Sequence, residues 1–264
     1  MSVSATTPRD QQRADLVGLL TQICETPAPT FAEQARGELI ASLLSAEGLE
    51  PHTDEVGNVI ANLGGGQGPR LLVAAHLDTV FGADTDVSVR PDRGPDGKER
   101  LKAPGIGDNS ASLAVLMHYV RQSQRHGANP ERPRLCVAAT VGEEGLGDLY
   151  GVRHLMKTRA DDFDLVLALD GHLGIIVNES VGSKRFEITF TARGGHSWGD
   201  YPSPSATHAL GDAIAALNKL QVPGQPRSSY NVGQISAGRA STRSPSRRAL
   251  TSTCAASTKT CSSA

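Results

Sequence analysis

The sequence predicts an α/β fold: a mostly parallel sheet with helices on both faces, followed by the start of a second, smaller α+β domain. Three observations carry this expectation. Short apolar runs at 71–75, 134–140 and 164–169 have strand length. Stretches with helical periodicity separate them, and strands alternating with helices make parallel sheets covered by crossover helices. Past residue 181 the texture changes to apolar alternation, the mark of a half-covered strand.

The elements follow in chain order. Residues 13–25 put Leu16, Leu19, Leu20 and Ile23 on one helical stripe, and residues 31–47 do the same with Leu39, Ile40, Leu43 and Leu44 before a stop at Gly48. The strand LLVAA (71–75) precedes a helix at 110–123. RLCVAAT (134–140) precedes a helix at 149–158, and DLVLAL (164–169) closes the first domain. In KRFEITFTA, Phe186, Ile188 and Phe190 share a face; a helix at 205–220 and a strand at 229–236 follow. The expected organisation is 1–181 for the α/β domain, 182–239 for a partial second domain and 240–264 for a tail. In that tail 17 of 25 residues are Ser, Thr or Ala, none is acidic, and Leu250 is the only large aliphatic side chain. Such a segment on its own does not offset its ordering entropy, so it is expected to be disordered.

Composition excludes several classes. With 26 basic and 28 acidic residues the net charge is −2, so no nucleic-acid partner is expected. No apolar run approaches membrane-spanning length and the start carries no secretion-signal pattern, which makes a cytoplasmic protein without a membrane partner the expectation. Cys24, Cys136, Cys254 and Cys261 form no C-x-x-C pair, and Cys136 reads as a small core residue. Gly64-Gly65-Gly66 precedes a strand rather than joining a strand to a helix, so it reads as a turn between strands and not as a phosphate loop.

Acidic and His residues recur at the predicted strand ends: His76 and Asp78 in AAHLDT, Glu143 and Glu144 in VGEEG, and Asp170 in LALDG. Asp108, in PGIGDNSAS, sits where a loop meets a helix. Open α/β sheets place their sites at the carboxyl ends of strands, so these six side chains are expected to converge. One imidazole with several carboxylates suits a divalent ion, and a further carboxylate outside the ligand set suits proton transfer from an activated water. Each feature alone has an ordinary alternative: a chance H-x-D, a solvated Glu pair, an N-cap at Asp108, a turn residue at Asp170. The conjunction of all four, each at a strand end or helix start, favours the site. His52, His118, His126, His154 and His208 read as solvated, and His172 as a remote candidate ligand.

In this order, HLDT, PGIGDNSAS, GEEG and ALDG resemble the co-catalytic zinc metallopeptidase family of aminoacylases, glutamate carboxypeptidases, succinyl-diaminopimelate desuccinylases and tripeptide aminopeptidases. The resemblance covers about residues 10–238. It implies a hydrolase of peptide or N-acyl amino acid amide bonds with two zinc ions, which a mixed His/carboxylate set does not separate from cobalt or manganese. It implies that His76 and Asp170 bind one ion, Asp108 bridges both, Glu144 binds the second, Glu143 is the general base and Asp78 orients His76. A cis peptide after Asp108 is implied as well. ARGGHSWGDYP resembles the start of the family's lid, or dimerisation, domain, with His196 reaching the partner subunit's site in a homodimer. The family pattern is expected to break off after about 238, as in a truncated or frameshifted chain, and no His follows His208 to complete the second ion's ligands. The expected alternative is therefore an impaired or inactive fragment that binds at most one ion.

Overall fold

A computed structural model of the chain describes residues 7–126, 131–171, 174–178, 182–225, 228–236, 243–244 and 247–255. The chain divides into two compact units, Met1–Ile175 and Ile176–Ala264.

In the first unit, α1 (Pro8–Cys24) starts at Thr7, whose side chain forms a reciprocal capping box with Asp10, and Pro8 occupies the first turn, where its missing N–H costs nothing. Helix α2 (Gln34–Ala46) ends at Gly48, which takes φ +81° as the stop position requires. Then come β1 (His52–Thr53), β2 (Val59–Gly65) and β3 (Arg70–His76), a surface hairpin β4 (Arg90–Arg93) and β5 (Glu99–Lys102), and α3 (Ala111–His126). The unit closes with β6 (Arg134–Thr140), α4 (Tyr150–Arg159) and β7 (Leu165–Ala168).

The main sheet runs β1-β2-β6-β3-β7. Strand β3 is parallel to both β6 and β7, whereas β2 is antiparallel to β6 and to β1. The parallel centre matches the sequence expectation, and the antiparallel edge adds to it. Gly64 and Gly65, expected in a turn, instead pair with Leu135 and Arg134 beyond a register shift in β2. Glycine tolerates the irregular backbone of such a shift.

Alternate sheet residues feed two cores. Val73, Ala75, Val137 and Ala139 pack with Leu19, Ile23, Ile40, Leu44, Leu113 and Val120 from α1, α2 and α3. Leu72, Ala74, Cys136 and Ala138 pack with Ile60 and with Leu155 of α4. Cys136 is thus the core residue expected, and burial pushes its thiol up to about 11. Helices on both faces is correct for β2, β3 and β6. It does not extend to β7, where Leu165, Val166 and Leu167 stay about half exposed at 55%, 51% and 47%.

The second unit holds β8 (Ser183–Thr191), β9 (Gly195–His196), α5 (Ala206–Leu217), β10 (Asn231–Ser236), β11 (Arg243–Ser244) and β12 (Arg247–Ala255). Its three-stranded antiparallel sheet has the order β10-β12-β8, and β9 pairs with β11. Here the expectation of disorder for 240–264 needs correction over the described residues 243–244 and 247–255. The segment read as a disordered tail supplies the central strand, with nine residues in register against β8 and Leu250 opposite both Ile188 and Ile235. The entropy argument weighed the segment in isolation. Flanked by two strands, its backbone groups pair on both sides, and its threonines suit an extended chain. Among the described residues no helix is long and apolar enough to cross a membrane.

Candidate metal centre

The carboxyl ends of β3, β6 and β7 lie side by side, because β3 is paired in parallel with both neighbours. That register brings His76 at the end of β3 next to the loops carrying Glu143, Glu144 and Asp170. Asp108 arrives from the tight turn at Ile106–Ser110 that leads into α3, and the Asp108–Asn109 peptide is cis, as the resemblance implies.

The distances centre on His76 Nε2. Asp108 Oδ1 lies 2.9 Å away, Asp170 Oδ1 3.7 Å and Glu143 Oε2 3.9 Å. Two trios of donor atoms fall within 4.8 Å of one another: His76 with Asp108 and Asp170, and His76 with Glu143 and Glu144. Asp108 therefore turns its carboxylate to the imidazole, and no side-chain cap bond forms at the start of this turn. The other ring nitrogen, Nδ1, lies 3.0 Å from the Asp78 carbonyl oxygen and 3.4 Å from Asp78 Oδ1. A carbonyl only accepts, so Nδ1 carries the hydrogen and Nε2 is the nitrogen turned to the cluster.

Asp78 is fully buried and its lone pairs are in use. Oδ1 accepts the Glu143 amide and Oδ2 accepts the Glu144 amide and the Thr30 hydroxyl, each at 2.9 Å. Burial would raise this carboxyl, but the bonds from His76 and the two amides outweigh it and hold it below the usual range. Burial would likewise push His76 down, yet the Asp170, Asp78 and Glu143 carboxylates around the ring lift it to about 10. Asp170 is held low, first by its bond to His76. Glu143 and Glu144 are both raised, first by burial. Asp170, Asp78 and Asp108 add to the rise at Glu143; Asp108, Glu143 and Asp78 do so at Glu144.

The donor set fits a divalent ion. An imidazole whose Nε2 faces carboxylate oxygens at these separations, which is held from behind by a backbone carbonyl and would give up its Nε2 proton to a bound ion, is the ligand chemistry of zinc and its neighbours. All six predicted residues of the first unit take part: five face the cluster and Asp78 stands behind it. His196 belongs to the second unit. Its Nδ1 accepts the Trp198 and Gly199 amides at 3.2 and 3.3 Å, so its Nε2 carries the hydrogen. Of the remaining histidines, His52 and His208 are exposed as expected, while His154 pairs with Glu55 at 3.4 Å and His118 Nδ1 is buried. His172 and the His126 side chain lie outside the described residues.

Sequence reasoning missed the buried polar residues behind the site. Glu33 Oε1 accepts the Gly142 and Phe31 amides, both at 2.9 Å. Asn58 accepts the Val141 amide and donates to the Gly151 carbonyl. Arg36 donates to the carbonyls of Leu77 and Thr26. Gly142, at φ +61°, makes the turn into Glu143, and a Cβ there would meet the Tyr150 side chain at 3.0 Å.

A profile of the peptidase family M20/M25/M40 matches residues 72–257. The chain belongs to this family. The match takes in β12 and so runs past the point where the motif pattern was expected to stop. Among curated relatives, a protein of Thermococcus kodakarensis named as a LysW-lysine/LysW-ornithine hydrolase is 31% identical over 145 residues, 55% of this chain and 37% of that protein. The chain spans less than half the length of the curated relatives it matches. The fold is that of an M20 metallo-carboxypeptidase from Sulfolobus solfataricus (TM-score 0.65, 12% identity, 92% of this chain and 71% of that one). A dinuclear metal-binding M20 peptidase of Bacillus subtilis shares it too (TM-score 0.57, 14% identity, 96% and 66%). In this M20 family chain the candidate metal-ligand groups lie at the carboxyl ends of the parallel strands.

Proposed function

We propose that this chain hydrolyses the amide bond of a peptide or N-acyl amino acid with the help of bound metal, and that Glu143 is its general base. One observation carries the proposal: a single buried residue, Asp78, orients His76 through its backbone carbonyl and pins the amides of both Glu143 and Glu144 with its carboxylate. Adjacent side chains leave an extended backbone in different directions, so the pinned pair divides two tasks. Glu144 holds an ion and Glu143 moves a proton.

His76, Asp108 and Asp170 would hold one ion, and Asp108 with Glu144 a second; zinc suits both, with cobalt or manganese as substitutes. Bound there, the ions would polarise the scissile carbonyl and acidify a water. Glu143 lies above its ordinary range, first through burial, which brings it closer to the operating pH of a base. Its carboxylate takes one proton from the attacking water and passes it to the departing amine nitrogen. In a homodimer through the second unit, His196, with its hydrogen on Nε2, is assigned the donor role toward the carbonyl oxygen in the partner subunit's site as negative charge develops there. The relatives' names add LysW-linked lysine and ornithine to the substrates worth offering.

The test is hydrolysis of a panel of dipeptides and N-acetyl amino acids by zinc-, cobalt- and manganese-loaded protein, with Glu143→Gln beside it. The expected result is that Glu143→Gln retains zinc and loses activity by about 10²–10⁴-fold, the usual weight of a general base. Retained activity in the variant would remove Glu143 from the role; no hydrolysis by the metal-loaded wild type would overturn the proposal.

A further inference from the structure

The first turn of α2 and the loop before it carry a second set of residues aimed at the metal centre, outside the 72–257 stretch matched by the family. Glu33 and Arg36 are three apart and both buried, at 6% and 1% exposure. They sit on the inward stripe with Gly37, Ile40 and Leu44. Arg36 Nη1 donates to the carbonyl of Leu77, the residue between His76 and Asp78, at 2.8 Å. Glu33 Oε1 accepts the amide of Gly142, the residue before Glu143. One helix end thus grips the β3 loop by a carbonyl and the β6 loop by an amide. Thr30 closes the ring through its hydroxyl on Asp78, and the Thr79 amide donates to Ala28 at 2.9 Å.

We infer that Glu33 is a positioning residue that sets where Glu143 and Glu144 stand relative to His76. It touches neither of the cluster's side chains. It acts through Gly142, whose left-handed turn aims the next two residues, and through Phe31, itself held at φ +70° in a region that non-glycine residues rarely occupy. The part it plays is that of an acceptor for two amides, and an amide oxygen can fill that part as well as a carboxylate. Arg36 does the corresponding work on the His76 side.

The inference rests on the metal-centre proposal, so its test has one readout that depends on metal and one that does not. Zinc titration by calorimetry would compare the full-length wild type with Glu33→Ala and Glu33→Gln. Amide hydrogen exchange of Gly142, Glu143 and Glu144 would be followed in the same three proteins without metal. In Glu33→Ala the weaker zinc site is expected to lose about 10- to 100-fold in affinity, as loss of a residue supporting metal ligands does, while Glu33→Gln stays close to wild type. Exchange at Glu143 and Glu144 is expected to speed up in the Ala variant and not in the Gln variant. If Glu33→Ala lowers the melting temperature but leaves zinc affinity and exchange at these amides unchanged, Glu33 only supports the fold and the inference is overturned. If the wild type binds no zinc, the metal proposal falls instead, and the exchange comparison still decides the role of Glu33. Should Glu33→Ala not fold, Thr30→Val takes its place, because it removes one donor from the same ring while Asp78 keeps its two amide donors; unchanged exchange and affinity there would count against the ring.

Discussion

Asp78 and Asp170 both flank His76, but they are built in opposite ways. Asp78 is fully buried, and its oxygens are filled by two amides, a hydroxyl and the imidazole. Asp170 keeps about half its side chain exposed and accepts one amide, that of its neighbour Gly171 at 2.6 Å. A carboxylate whose lone pairs are used by the scaffold positions others; one whose lone pairs stay open is free to bind. The same contrast runs through the elements behind them. The β6 side is braced by Glu33 and Asn58 and the β3 side by Arg36, while β7 is held on one flank by β3 and by the Asn109 amide on the Leu169 carbonyl at 3.0 Å.

Paired substitutions should expose the contrast most strongly. Asp78→Asn places an amide group against two backbone N–H donors and leaves His76 without its buried partner; breaking such a buried pair costs about 3–5 kcal/mol. Asp170→Asn is exposed and should stay within about 0.5 kcal/mol of wild type. Urea unfolding checks both, and zinc titration supplies the opposite order of interest: Asp170→Asn should weaken zinc binding while leaving the fold intact. Equal stability losses in the two variants would erase the distinction.

A smaller effect tests whether the bracing depends on the packing beneath it. Leu155 of α4 is the fully buried anchor of the second core, packed with side chains of β2, β3 and β6, the strand that leads to Glu143 and Glu144. Leu155→Ala should cost about 3 kcal/mol through its cavity, measured by the same unfolding experiment. Zinc affinity of the folded variant should hardly change, because the hydrogen-bond ring, not α4, sets the loop. A parallel loss of affinity would shift the bracing role to the core.

The legibility of the molecule follows the same division. Five of the six candidate site residues could be read because parallel strands end on one side of a sheet and the chain writes acidic or His residues after each such end; Asp108 could be read from the turn that opens α3. The braces were harder to read because their partners are backbone amides and carbonyls, which leave no trace in a sequence. Glu33 and Arg36 did leave one clue: they continue the apolar stripe of α2 toward its start, where a charged pair on a buried face asks for a partner. Strand β12 was missed for a different reason. Its Ser/Thr-rich composition is poor in core-forming side chains, and what orders it is pairing with β8 and β10, a property of its neighbours.

The smallest expected effect lies at the other end of β7, where the open side of the site has its own anchor. Arg70 on β3 donates from its amide, Nε and Nη2 to the carboxylate of Asp164 at 2.8, 3.2 and 2.7 Å, fixing the register in which β7 presents Asp170. These bonds pull Asp164 down to about 2 from an ordinary 3.8. A carboxyl depressed in the folded state stabilises fully above its unfolded value, and that contribution disappears as the pH falls through the folded value. Asp164→Asn should therefore lower the urea midpoint slightly at pH 7, by about the same amount at pH 5, and by progressively less from pH 4 toward pH 2. The pair is exposed, so added salt should shrink the difference as well. A gap that ignores both pH and salt would mean that the Arg70 amide bond, which asparagine can also accept, anchors β7 without help from charge.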